Sequence, residues 1–390
     1  NYRQADDDKI IAYDEALEHG QDIQKTNATQ NETKQALQQL IYAETSLNGF
    51  ERLNHARPRA LEYIKSLEKI NNAQKSALED KVTQSHDLLE LEHIVNEGTN
   101  LNDIMGELAN AIVNNYAQTK ASINYINADN LRKDNFTQAI NNARDALNKT
   151  QGQNLDFNAI DTFKDDIFKT KDALNGIERL TAAKSKAEKL IDSLKFINKA
   201  QFTHANDEIM NTNSIAQLSR IVNQAFDLND AMKSLRDELN NQAFPVQASS
   251  NYINSDEDLK QQFDHALSNA RKVLAKENGK NLDEIQIEGL KQVIEDTKDA
   301  LNGIQRLSKA KAKAIQYVQS LSYINDAQRH IAENNIHNSD DLSSLANTLS
   351  KASDLDNAMK DLRDTLESNS TSVPNSVNYI NADKNFQIEF

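Results

Sequence analysis

Cysteine and tryptophan are absent from these 390 residues, proline occurs three times and glycine nine. Without cysteine there is no disulfide framework and no thiolate metal site. Glycine and proline this scarce cannot supply the turns of a sheet protein or a flexible low-complexity chain. No window approaches the ~18 consecutive apolar residues of a membrane span. The N-terminus has neither the basic nor the apolar region of a signal peptide. Basic residues are outnumbered: 44 Lys plus Arg face 59 Asp plus Glu, a net charge of −15. That balance opposes the counterion release on which nucleic-acid binding depends. Apolar residues reach only 38%, so the cores must be thin. An acidic, mostly helical repeat protein is what the composition leaves.

The repeat is explicit. Asn-Tyr-Ile-Asn opens at Asn124, Asn251 and Asn378, 127 residues apart, with a degenerate copy at Asn1. Leu-Asn-Gly-(Phe/Ile)-(Glu/Gln)-Arg-Leu begins at Leu47, Leu174 and Leu301, with the same step. Met105, Met232 and Met359 keep it too, as does the element Ser-Leu-x-x-Ile-Asn-x-Ala-Gln at 66–74, 193–201 and 320–328. The first unit is about four residues short near 21–27, and a loss with register kept on both sides marks a loop. The units are therefore 1–123, 124–250 and 251–377, with 378–390 the start of a further one, as if cut from a longer array.

Each unit is too long for a solenoid repeat of roughly 20–50 residues and divides into two small bundles. In the second unit a helix is expected over 129–149, with Phe136, Ile140, Ala143 and Leu147 on one face; Phe263, Leu267, Ala270 and Leu274 repeat it. The turn 150–155 contains Gly152, and Asp156 caps the next helix; Asp283 with Gln286 reads as a capping box. Ile160, Phe163, Ile167, Leu174 and Ile177 then form a stripe that resumes as Leu180, Ala183, Ala187, Leu190 and Leu194 with no proline between. This pattern predicts one helix of about 40 residues, roughly 60 Å long, serving two bundles in turn, with Gly176 its weak point.

A short helix is expected at 198–210, carrying Ala200, Ala205 and Ile209. Thr212 is read as the N-cap of a last helix of about 30 residues, with Ser85 and Ser339 in that place elsewhere. Its apolar positions are Ile215, Leu218, Val222, Ala225, Leu228, Met232, Leu235 and Leu239. The segments 241–250, with Pro245, and 368–377, with Pro374, read as joints. A bundle of about 60 residues is marginal alone, so shared helices must let neighbours stabilise one another. The expected fold is all-α: an elongated, monomeric rod of tandem three-helix bundles joined by long shared helices. A globule of this length would have a radius of gyration near ~21 Å, which a rod exceeds.

Candidate chemistry is sparse. No Gly-rich phosphate loop, Gly-x-Ser-x-Gly elbow or His-Glu-x-x-His occurs, so no enzyme, catalytic residue or cofactor is expected. His86, Glu90 and His93 share one helical face and could meet a metal. The places of the histidines hold Asn213 and Arg220, then Asp340 and Asn347, so the set occurs once and reads as a solvated face. Asp6-Asp7-Asp8 reads as helix-dipole complement, and Asp165-Asp166 as a solvated face. No calcium loop with alternating oxygen ligands and a central glycine exists. The sequons at Asn135 and Asn148 fall on a predicted helix. The Leu-Asn-Gly block reads as packing, its Leu and Ile in two cores and its Gly admitting a close approach. Tyr125 and Tyr252 read as staples of the joint. Ligand-contact residues are unknown at this level.

The tetrapeptide, the Ala-Leu-Asn-Gly-Ile-x-Arg-Leu block and the Ser-Leu-x-x-Ile-Asn-x-Ala-Gln element resemble the FIVAR and GA modules of giant staphylococcal matrix-binding surface proteins. On that resemblance FIVAR-like segments cover 1–53, 124–180 and 251–307, and GA-like segments 54–118, 181–245 and 308–372. It implies a cell-wall-associated adhesin whose anchor and signal peptide lie elsewhere, with host fibronectin as ligand. The competing expectation is a mechanical spacer or envelope-organising rod with no ligand here. Albumin is not carried over. The short helices at 71–82, 198–209 and 325–336 offer no recognised albumin-contact set and differ most between units.

Overall fold

A computed structural model describes residues 1–389. Among the described residues there are α-helices, one 3-10 turn (Tyr2–Gln4) and no strand. In chain order the helices are α1 (Asp7–Ile23), α2 (Gln30–Ser46), α3 (Gly49–Ser66), α4 (Asn72–Gln84), α5 (Leu88–Ala121), the one-turn α6 (Ile123–Asn127), α7 (Asn130–Ala146) and α8 (Phe157–Asp172). Then come α9 (Gly176–Asp192), α10 (Lys199–Asn211), α11 (Ile215–Gln247), the short α12 (Ser250–Ile253), α13 (Glu257–Leu274) and α14 (Glu284–Asp299). The last are α15 (Gly303–Ser320), α16 (Asp326–His337), α17 (Leu342–Ser372), α18 (Val377–Ile380) and α19 (Lys384–Glu389). They gather into two compact units, one of residues 1–183 with 213–215, the other of 184–212 with 216–390.

In the first unit, α5 is the shared element. Asp87 starts it by accepting the Glu90 N–H at 2.8 Å, which satisfies one amide left unpaired at a helix start. Its first half packs on α3 and α4: Gly98 sits against Ile64, Leu67 and Leu78. Its second half packs on α7 and α8, where Glu107 pairs with Lys164 and Asn115 Oδ1 accepts from Lys171 Nζ, both at 2.8 Å. The predicted face of α7 is the core: Phe136, Ile140 and Ala143 are fully buried, with Ile160 and Ile167 of α8 opposite. Burying such side chains stabilises by roughly 1.5–3 kcal/mol each.

The second unit repeats the arrangement. Met232 and Leu235 of α11 meet Phe263, Leu267 and Ala270 of α13 and Ile287 and Ile294 of α14. Ala314 and Val318 of α15, Ala332 and Ile336 of α16 and Leu345 and Ala352 of α17 form another core. Asp156 and Asp283 cap α8 and α14 as their positions predict, Asp283 in a capping box with Gln286.

Five expectations fail. The 40-residue helix is two: α8 ends at Asp172, residues 173–175 form a break, and α9 begins at Gly176. Ile177 consequently leaves the stripe and is 58% exposed. Thr212 and Ser85 end the short helices as C-caps, while Asp87 and Asp341 cap the long ones. Ser339 likewise bonds back to Asn335 C=O, 2.8 Å. The stretch holding Pro245 is helical to Gln247, because buried Ala243 and half-buried Val246 anchor that turn in the core despite the missing N–H. Helix α17 likewise continues to Ser372, and Asn148 lies in the turn after α7.

Candidate functional site

The repeated motifs converge on the joints, where each does a hydrogen-bonding task. The first Asn of the tetrapeptide bridges the break between α8 and α9. Asn124 Nδ2 donates to Leu174 C=O and its Oδ1 accepts from Ile177 N–H, both 3.1 Å. Asn251 bridges Leu301 and Ile304 in the same way (3.3 and 3.0 Å), and Asn1 bridges Leu47 and Phe50 (3.0 and 2.9 Å). The glycine follows from this approach. A Cβ on Gly176 would lie 2.0 Å from the Asn124 carbonyl oxygen, and Gly49 and Gly303 are as tightly covered. The close neighbour of Gly176 and Gly303 is thus the backbone of the short helices α6 and α12.

The fourth residue reaches elsewhere. Asn127 Nδ2 donates to Asn213 C=O and its Oδ1 accepts from Ile215 N–H, both 2.9 Å, at the start of α11. Asn254 does this for Asp340 and Leu342 (3.0 and 2.8 Å), and Gln4 of the degenerate copy takes the Leu88 N–H at 3.0 Å. The following Asp closes a third contact. Asn175 accepts from the Asp129 N–H at 3.2 Å and donates to its carboxylate at 2.7 Å, while Arg179 pairs with the other oxygen. Asp256–Asn302–Arg306 and Asp6–Asn48–Arg52 repeat it. Asp6 is therefore a joint residue, and Asp7 and Asp8 occupy the first turn of α1.

The Ile-Asn-x-Ala-Gln element makes a buried clamp. Asn71 and Gln74 form a capping box on α4. Their remaining donors grip the α7–α8 loop: Asn71 Nδ2 reaches Ala146 and Gln153 C=O (3.2 and 2.9 Å), and Gln74 Nε2 reaches Leu155 C=O (2.9 Å). Asn198 and Gln201 do the same to Val273, Lys280 and Leu282 (3.1, 2.9 and 2.9 Å). Lys149 and Lys276 return the grip by donating to Ile70 and Ile197 C=O, 2.8 and 2.7 Å. Burial, with Lys75 nearby, holds the Lys149 ammonium below the usual lysine range. This clamp was unread in the sequence, although its Asn-x-x-Gln spacing is a capping-box signal.

Other candidates are brought together by nothing. The Glu90 carboxylate is turned to His86 N–H at 2.8 Å, and no group of three His, Asp or Glu side chains able to hold a metal occurs among the described residues. Asp165 lies 3.9 Å from Lys169 on the solvent face of α8. Asn135 is exposed on α7, and Asn148 Oδ1 accepts from Thr150 and Gln151 N–H in its turn. Tyr125 and Tyr252 staple the joint edge-on against Phe136 and Phe263, with ring centres 6.0 and 6.2 Å apart. Burial and the Asp264 carboxylate, 2.7 Å from its hydroxyl, push Tyr252 up to about 12.

Grooves lie beside α4, α10 and α16. One of about 640 Å³ includes Lys81 and Glu97, one of about 530 Å³ Glu208 and Gln224, and one of about 550 Å³ Asn335 and Lys351. The same three places thus carry different polar groups, which supplies no common small-ligand chemistry.

A FIVAR domain model matches residues 1–48, 105–175, 231–302 and 358–390, and a GA module model matches 50–104, 177–231 and 304–358. The two change over inside α5, α11 and α17, the shared helices. The chain is 37% identical over all 390 residues to the extracellular matrix-binding protein ebh of Staphylococcus aureus strain MW2. It is 36% identical to EbhA of strain Mu3. It spans only 4% and 6% of those relatives. A crystal structure of an EbhA segment from Staphylococcus aureus aligns with TM-score 0.58 at 25% identity, covering 64% of this chain and 98% of that one.

Proposed function

This chain belongs to the FIVAR family, its FIVAR domains interleaved with GA modules, and from that premise we propose that it is a repeat segment of a bacterial surface adhesin that binds host extracellular matrix. The relationship to matrix-binding proteins along the full chain carries the reading. The functional repeat is the 127-residue unit, and the ligand is fibronectin, engaged weakly by each unit and strengthened by linkage. The parent protein is held at the cell wall.

One recurrent feature supports multivalency. Phe50, Ile177 and Ile304 occupy the same place just after the Asn-Gly corner and are 60%, 58% and 63% exposed. An apolar side chain presented to solvent at a fixed period offers repeated equivalent contacts. Linked weak sites can exceed single-site affinity by about 10²–10⁴-fold. The chain should bind immobilised fibronectin, and replacing all three residues by Ser should weaken binding far more than replacing one, with helicity by circular dichroism unchanged. No binding by the intact, helical chain would leave the spacer reading standing.

A further inference from the structure

In a chain with a net charge of −15, α15 carries Arg306, Lys309, Lys311 and Lys313 and no acidic residue. Two of the four serve the fold. Arg306 pairs with Asp256 at 3.0 Å, and Lys311 donates to His337 C=O at 2.7 Å. Lys309 and Lys313 are exposed and make no ion pair among the described residues. Four residues on, Tyr317 turns to solvent and is 42% exposed. Positions 309, 313 and 317 follow one another at one helical turn. Two cations and a phenol ring thus form a single stripe about 12 Å long. It faces away from the core, which takes Ala314 and Val318.

The first copy repeats the stripe. His55, Arg59 and Tyr63 hold the same places on α3, and Tyr63 is 38% exposed. Its hydroxyl meets Thr99 Oγ1 at 2.8 Å, which fixes the ring. Glu51 lies 3.8 Å from His55, so this stripe is the less positive of the two. The second copy lacks the pattern: Ala182 and Leu190 stand in place of the first cation and the ring, with Lys186 between them. Helix α9 forms with Leu190 in that place, so the bundle does not require an exposed ring there.

We propose that the two stripes bind a sulfated glycosaminoglycan, an acidic polysaccharide of the matrix; that choice of source rests on the matrix-binding reading above. The ring offers its electron-rich face to the C–H face of a sugar. The cations, a turn apart, pair with sulfates along the strand. A neutral sugar would leave the cations without partners, and a charged polymer without rings would leave the tyrosine unused. A sulfated sugar chain engages all three side chains.

Biolayer interferometry of the full chain on immobilised heparin at low salt tests this. Lys309→Ala with Lys313→Ala should weaken binding about tenfold or more, since one linked site remains where there were two. The same change should flatten the logarithmic salt dependence by about 1.5, as two cations no longer displace counterions. Tyr317→Ala should weaken binding with the salt dependence unchanged. Lys186→Ala with Lys189→Ala removes the same charge from the second copy and should change little. An equal loss there would mean diffuse charge attraction and overturn the proposal. So would undetectable heparin binding by a chain that is helical by circular dichroism. Single-stranded DNA or poly(glycerol phosphate) competing as well as heparin would overturn the assignment to a matrix polysaccharide. Replacing Phe50, Ile177 and Ile304 by Ser should leave heparin binding intact, so loss of fibronectin binding and loss of heparin binding are separate results. Heparin binding lost with those three residues would refute the stripes as its site.

Discussion

Asn71 and Asn325 stand at the same place in two copies of one module. Each closes a capping box on the helix that follows, with Gln74 and Gln328 as partners. Asn71 is wholly buried and its amide grips a loop about 80 residues ahead in sequence, whereas Asn325 is exposed and makes the box alone. The helix start is a local matter settled by four residues. The joint is a tertiary matter, settled by whether carbonyls arrive to meet the donors the box leaves over. One pair of side chains thus serves two levels of structure.

The sharpest way to break this comparison is Asn71→Ala beside Asn325→Ala. The first loses a cap and strips a buried carbonyl of its donor, together about 2–4 kcal/mol; the second loses only the cap, about 1 kcal/mol. Hydrogen-exchange mass spectrometry reads both sites in one molecule, and equal effects would deny the clamp any tertiary role.

Glycines offer the next contrast. A Cβ on Gly152 would stand 2.5 Å from Asn148 C=O and 2.6 Å from Asn71 Nδ2, while Gly289 has open space around it. Gly152→Ala should therefore destabilise by roughly 1–3 kcal/mol, and Gly289→Ala, within α14, should stabilise by about 1 kcal/mol. Urea midpoints give the two signs directly.

The smallest effect separates the tyrosine staples. Tyr252 keeps its proton to about 12 because of burial and Asp264. A raised folded value means a contribution present in full below the ordinary tyrosine range and lost as pH climbs from about 10 through about 12. Ultraviolet titration of Tyr252→Phe against the parent should remove the last tyrosinate step.

Periodicity made α7, α13 and the long α5, α11 and α17 legible, because a buried stripe is written at 3.6-residue spacing. The break at 173–175 was illegible for the opposite reason. The apolar pattern runs on through Leu174 and Leu180, and what stops the helix is Asn124, some 50 residues earlier. Side-chain amides that bind backbone across such distances leave no periodic trace. The fixed recurrence of Asn-Tyr-Ile-Asn and Leu-Asn-Gly was visible, but which copy fastened to which was not. The same holds for Thr212, whose hydroxyl suited a cap that Asp87 and Asp341 provide two positions later in the other copies.

The Leu-Asn-Gly corner also sets how the joint ages. In an Asn-Gly pair no Cβ shields the following nitrogen, which can attack the side-chain carbonyl carbon and expel ammonia; water then opens the ring to aspartate or isoaspartate. The nitrogen lost from Asn302 is the donor that meets the Asp256 carboxylate at 2.7 Å. The product sets carboxylate against carboxylate, and a fastener becomes a wedge. While the corner is shut the Gly303 N–H is held by Ser255 Oγ at 3.0 Å, which keeps that nitrogen from attack. Chemical damage at this corner therefore accumulates only at the rate at which it opens, so the extent of deamidation at Asn302 in an old sample records how often that joint has come apart.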